Sequence, residues 1–89
     1  MIPRVDRLAS VDDAPPPTLV NALGKACPVP VIDLAKAVAR LTAGAEVIVL
    51  ADDPGAKVDI PVWCRMKGHR LLAVEPADRG WEFRVQRSG

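Results

Sequence analysis

Residues 28–51 read PVPVIDLAKAVARLTAGAEVIVLA, and this stretch decides the fold. Val31, Leu34, Ala35, Val38 and Leu41 recur at the i, i+3, i+4, i+7 spacing of one buried helix face, while Asp33, Lys36 and Arg40 fall on the other. The spacing predicts a helix over 28–41. Pro28 and Pro30 suit its first turn, where the amide hydrogens have no helical acceptor to lose. Gly44 closes the unit. Glu46–Ala51, EVIVLA, then forms a continuous apolar run rich in β-branched residues, the pattern of a central strand.

Working outward, Thr18–Leu23 is a short strand broken by Gly24. A strand, a helix and a second strand in this order predict a right-handed crossover with the two strands parallel. On the other side, Asp52-Asp53-Pro54-Gly55 is a turn. A second helix is predicted over Asp59–Lys67, with Asp59 as N-cap, Pro61 in the first turn and Gly68 as its stop, although its start could lie as early as Gly55. Two further strands, Arg70–Pro76 and Trp81–Arg87, flank a turn at Ala77-Asp78-Arg79-Gly80. In the last strand Trp81, Phe83 and Val85 alternate with Glu82, Arg84 and Gln86, so one sheet face is buried and the other meets water. The expected fold is therefore α/β, a two-layer sandwich of order β-α-β-α-β-β. It has a four-stranded mixed sheet with both helices on one face.

Composition narrows the function. The chain has 89 residues, 49% of them hydrophobic, which suits one small globular domain. Residues 1–16 carry scattered charge and end among three prolines, which predicts a flexible tail before a domain at 17–89. Twelve basic and eleven acidic residues give a net charge of +1, so there is no basic footprint for direct nucleic-acid binding. Trp63, Trp81 and Phe83 are the only aromatics besides His69, a thin supply for stacking on bases. No apolar run has the length of a membrane helix, and no apolar signal segment follows Arg4 and Arg7. With two cysteines and no secretory signal, the expectation is the reducing cytoplasm.

The two cysteines differ. Ile60, Trp63 and Cys64 form an apolar i, i+3, i+4 stripe, so Cys64 reads as a small buried hydrophobe. Cys27 belongs to no stripe. It lies between Gly24 and the prolines of GKACPVPV (24–31), at or near the expected N-cap of the first helix, with Pro28 at N1 and Pro30 at N3. There the helix dipole favours a thiolate, and Lys25 is close enough in sequence to add to it. The prolines remove two amide donors, leaving Ala26, Cys27, Val29 and Val31, so the loop is a thin anion site. Its contribution is a rigid backbone presenting an exposed sulfur. A neutral cysteine filling an ordinary cap position is the plainer alternative. A Cys27–Cys64 disulfide, a Cys27–His69 pair and a zinc site completed by Asp52, Asp53 or Asp59 remain open, although the spacing matches no zinc motif. The plain reading of His69, directly after Gly68, is a solvated turn residue.

The stretches NALGKACPVPVIDLAKAV (21–38) and VIVLADDPGAKVDIPVWCRMKGHRLL (47–72) resemble the TusA/SirA-like sulfur-carrier family, with the likeness running from about residue 18 to 87. A glycine before Cys-Pro-x-Pro, the Ala-Asp-Asp-Pro turn, Asp-Ile-Pro and Gly-His together carry it. The resemblance implies the same β-α-β-α-β-β sandwich, and a working cysteine at Cys27 that holds sulfane sulfur as a persulfide. Gly24, Pro28 and Pro30 would position it. The implied donor is a cysteine desulfurase or a rhodanese-like protein, and the acceptor is a further protein of a sulfur relay. Outlets of the family are tRNA thiolation, molybdenum-cofactor synthesis and sulfur oxidation. No cofactor or metal is implied. Many members have Asp-x-x-Gly where this chain has Asn21-Ala22-Leu23-Gly24. Lys25 stands where leucine is common, and Ala26 and Val29 stand where familiar members carry arginine and glutamate. Lys25, Ala26 and Val29 are thus the expected partner-docking positions. A non-catalytic interaction module using this surface, or a thiol redox switch, are the alternative functions.

Overall fold

The computed structural model describes residues 16–89. Apart from Pro16, the expected tail lies outside the described residues. Four strands and two helices follow in the order β1 (Thr18–Asn21), α1 (Val29–Ala39), β2 (Glu46–Ala51), α2 (Ala56–Lys67), β3 (Arg70–Pro76) and β4 (Trp81–Gln86). The sheet order is β1-β2-β4-β3. β1 runs parallel to β2, and β4 runs antiparallel to both β2 and β3. The mixed sheet and the element order are those the sequence predicts.

β2 is central because it offers an apolar residue at every position of its inner face. Val47, Val49 and Ala51 are fully buried, and Phe83 and Val85 of β4 are the inner partners of Val49 and Val47. Leu34 and Val38 of α1 and Ala56, Ile60 and Cys64 of α2 close over them in one cluster. Each large apolar side chain buried in this way contributes about 1.5–3 kcal/mol, which is the main stabilising term in so small a domain. The ladder between β3 and β4 shifts register between Leu71 and Ala73, leaving Leu72 as the extra residue of a bulge on an edge strand.

The helix boundaries correct the sequence reading in two places that matter for the site. The N-cap of α1 is Pro28, not Cys27, so Pro30 sits at N2 rather than N3 and packs into the core. α2 starts three residues earlier than Asp59, with Gly55 as its N-cap, the earlier of the two starts the sequence allows. Asp59 lies inside the helix, in its first turn, and Pro61 is an interior residue. Pro61 forfeits the hydrogen bond to the carbonyl of Lys57, a cost softened because Lys57 is exposed and its carbonyl can meet water. The apolar stripe through Ile60 outweighs this local penalty, which is why a proline-based boundary places the helix start too late.

The other ends follow their chemistry. Gly68 terminates α2 at φ +78°, with its own N–H donating to Arg65 and the N–H of His69 donating to the carbonyl of Cys64. At the C-terminus of α1, Arg87 Nη1 donates to the carbonyls of Val38 and Leu41 at 2.9 and 2.5 Å. A fixed cation at the negative end of the helix ties the last residues of the sheet to the helical layer.

Candidate functional site

The loop 22–28 leaves the C-terminal end of β1 and enters α1 beside the loop that joins β2 to α2. Because β1 and β2 are parallel neighbours, their two exit loops must meet. Two consecutive aspartates at the end of β2 fasten them. Asp52 Oδ1 accepts the N–H of Gly24 at 2.9 Å, and its other oxygen pairs with Arg79 at 3.0 Å. Asp53 Oδ2 accepts the N–H of Cys27 at 2.6 Å, and Asp53 Oδ1 accepts the N–H of Gly55 at 3.1 Å. Gly24 makes the turn at φ +78°, a conformation that costs glycine little.

Cys27 is thus set against the start of α2 as well as α1. A Cβ placed on Gly55 would lie 3.4 Å from Cys27 Cβ and 3.6 Å from Cys27 Sγ, so the glycine leaves open space against the sulfur. The side chain is half-buried. Lys25, Ala26 and Val29 all stand exposed around it. Pro28 is exposed and Pro30 is buried, so only Pro30 anchors the turn in the core.

The electrostatics reverse the expectation of a thiolate. The Cys27 thiol is pushed up to about 11, first by burial, then by a hydrogen bond to the Asp59 carboxylate and by the charges of Asp59 and Asp53. Three facts explain why the helix end does not prevail. The N–H of Cys27 is already given to Asp53, and the N–H of Val29 to the carbonyl of Ala26 at 3.0 Å. Prolines occupy two further positions of the turn. Lys25 points its charge elsewhere, pairing with Asp33 at 2.9 Å. Asp53 itself is held below the usual carboxylate range, by the N–H of Cys27 first and that of Gly55 second. Free Cys27 is therefore a protonated thiol, rigidly placed and flanked by carboxylates.

The other sequence candidates are apart from this centre. Cys64 is 2% exposed and packed in the core, and burial pushes its thiol up to about 11. Neither cysteine is in a disulfide. His69 is not the solvated turn residue expected. Its ring lies 5.3 Å from that of Trp63, and its Nδ1 accepts the N–H of Ser88 at 3.2 Å. Among the described residues, no group of three His, Cys, Asp or Glu side chains is arranged to hold a metal ion. No helix among them is long and apolar enough to cross a membrane.

Asp53, Gly55 and Asp59 are the site residues that sequence reasoning misses as such. It reads the first two as a turn and the third as a helix cap, and offers the two aspartates only as possible zinc ligands. The Asp-x-Gly pattern after a buried strand does signal a side chain folded back on its own turn, but nothing local signals that the same carboxylate reaches Cys27.

Comparison with known proteins bears on the family and the fold. The family model described as Sulfurtransferase TusA matches residues 18–87. The crystal structure of the SirA-like protein from Desulfitobacterium hafniense superposes with a TM-score of 0.72 at 30% identity, covering 81% of this chain and 99% of that one.

Proposed function

This chain belongs to the TusA sulfurtransferase family, and from that premise we propose that it is a sulfur carrier whose Cys27 accepts sulfane sulfur as a persulfide and delivers it to another protein. The observation that carries the reading is the placement of Cys27. It is a half-buried but reachable sulfur on a loop pinned by Asp52 and Asp53, with no side chain beyond Cα on the Gly55 side.

The chemistry needs a reachable sulfur and a thiolate at the moment of attack. Cys27 loses its proton, and its sulfur attacks the outer sulfur of the donor persulfide. The bond between the donor's two sulfurs breaks, its electron pair leaves with the donor cysteine, and that thiolate takes up a proton. Cys27 now bears the outer sulfur. In the second step an acceptor thiolate attacks that sulfur, and Cys27 departs and is reprotonated. Neither step requires a metal, a cofactor or a deep cavity. The donor is a cysteine desulfurase or a rhodanese-like protein. The acceptor is a further relay protein feeding tRNA thiolation, molybdenum-cofactor synthesis or sulfur oxidation. A working thiol of this kind belongs in a reducing compartment such as the cytoplasm.

The test is mass spectrometry after incubation with a cysteine desulfurase and cysteine. The expected result is one added sulfur atom on Cys27, removed by reductant and absent from Cys27→Ser. No adduct with either a desulfurase or a rhodanese donor would overturn the reading. If Cys27→Ser keeps partner binding and biological activity, the protein is an interaction module instead.

A further inference from the structure

A shallow apolar groove runs from the Cys27 loop between the two helices. Pro28 and Val31 of the α1 side and Asp59, Val62, Trp63 and Met66 of α2 line it. Val62 and Met66 are exposed, Met66 to 74%, more than any other large apolar side chain among the described residues. The Asp59 carboxylate belongs to this lining, and Asp53, outside it, accepts the N–H of Cys27. Three cations near the loop are engaged elsewhere. Lys25 pairs with Asp33, Arg79 with Asp52, and Lys57 lies 4.8 Å over the ring of Trp81. Among the described residues, no cation forms an ion pair with Asp53 or Asp59.

We propose that this groove receives the cysteine-bearing loop of the sulfur donor, with an apolar side chain in the groove and a lysine or arginine beside the donor's cysteine paired to Asp59. The proposal rests on the sulfur-carrier reading and names the partner chemistry of that same site. The donor is the occupant because charging is the step that begins with the Cys27 thiol and must remove its proton. Delivery begins with Cys27 Sγ bonded to the outer sulfur and carrying no proton, so no deprotonation of Cys27 precedes it, and the carboxylates bear there only on its departure as a thiolate. A cation at Asp59 offsets the Asp59 contribution to the raised thiol, which stands second to burial. Docking of such a donor therefore favours the thiolate, and the free carrier reacts more slowly with adventitious electrophiles.

The test uses the full chain and three short peptides that differ only in the residue after cysteine, which is arginine, alanine or glutamate. A leucine precedes the cysteine, and the cysteine is activated as a mixed disulfide with 5-thio-2-nitrobenzoate. Attack by Cys27 forms the protein–peptide disulfide and releases the coloured thiolate, and Cys27→Ser supplies the background. The arginine peptide should react roughly tenfold faster than the glutamate peptide, and the gap should narrow at about 1 M salt. In Asp59→Asn the preference should fall to within about twofold, while reaction with neutral iodoacetamide becomes faster. Asp59→Ala repeats the measurement should the first variant fold poorly. An undiminished arginine preference in these variants overturns the pairing. Persulfide loading of Cys27 by a desulfurase, measured in parallel, separates the two ideas. Loading without an Asp59-dependent preference rejects the gate alone, and the preference without loading by any donor rejects the carrier function alone.

Discussion

Asp53 Oδ2 stands 2.6 Å from the backbone nitrogen of Cys27, a hydrogen bond across 26 positions of sequence that joins the reactive loop to the loop after β2. Its second oxygen serves Gly55, so one carboxylate fixes both sides of the sulfur's surroundings. Replacing Asp53 with alanine should lower the melting temperature and accelerate amide exchange at Cys27 and Gly55 together. The pH dependence has a definite sign. The carboxyl is held low in the folded state, so its contribution is complete above the ordinary unfolded value of about 4 and is lost as pH falls through the lowered one. Melting curves between about pH 2 and pH 7 should show an acid limb that is shallower in Asp53→Asn. An unchanged acid limb would assign it to other carboxylates.

The two cysteines should be separable by alkylation. Both thiols are pushed up to about 11, Cys27 by burial and then by carboxylates, and Cys64 by burial alone. At about pH 8 and under native conditions, Cys27 should react with iodoacetamide at least about tenfold more slowly than a free cysteine, and Cys64 should not react. Raising the pH should accelerate Cys27 steadily beyond the point where a free thiol levels off. For stability, a raised thiol value contributes fully below the unfolded value of about 8.5 and is lost as pH climbs through the folded one. Cys64 modification should therefore appear together with alkaline unfolding. Peptide mapping of the alkylated protein checks both statements.

Much of the fold is legible because its signals are local. The alternation of Trp81, Phe83 and Val85 and the apolar run 46–51 state which residues face inward, and the structure buries Phe83, Val85, Val47 and Val49 accordingly. The helical stripe through Leu34 and Val38 is equally direct. The start of α2 is less so, because a proline at 61 favours a helix beginning near it, whereas packing of Ala56 and Ile60 extends the helix backward. The electrostatics of Cys27 are the least legible. A helix start and a neighbouring lysine point to a thiolate. The outcome depends on Asp53 and Asp59, which reach Cys27 only through the pairing of β1 with β2, and on Asp33 drawing Lys25 away.

Gly80 should be far less replaceable than Gly44. Both have positive φ, 75° and 87° respectively. A Cβ at Gly44 would meet nothing within 4 Å, so Gly44→Ala should cost only the left-handed strain, about 1–2 kcal/mol. A Cβ at Gly80 would overlap the carbonyl of Ala51 and lie 2.5 Å from Asp52 Cα, so backbone must move. The atoms displaced are those that lead into Asp52 and Asp53. Gly80→Ala should therefore cost more than about 3 kcal/mol and also disturb the Cys27 loop. Urea unfolding of the two variants, with Cys27 alkylation as the second readout, measures both effects. Equal losses in the two would rule out the close approach of β4 to the end of β2 as the cause.

Gly55 permits the opposite experiment, a change at the site that spares the fold. Its φ of −59° is open to any residue, and the Cβ of an alanine would meet Cys27 Cβ and Sγ at 3.4 and 3.6 Å, which are contact distances and not clashes. Gly55→Ala should thus alter stability by less than about 1 kcal/mol, the range expected for a glycine-to-alanine change at a helix N-cap. The added methyl fills the space against the sulfur on the side of α2. Reaction of Cys27 with a bulky disulfide should slow more than reaction with iodoacetamide, because the larger reagent needs that space. If instead both reagents slow equally, the methyl is acting on the thiol's protonation through burial. The ratio of the two rates, followed against pH, decides between these, since a protonation effect vanishes once the thiol is fully ionised and a steric one does not.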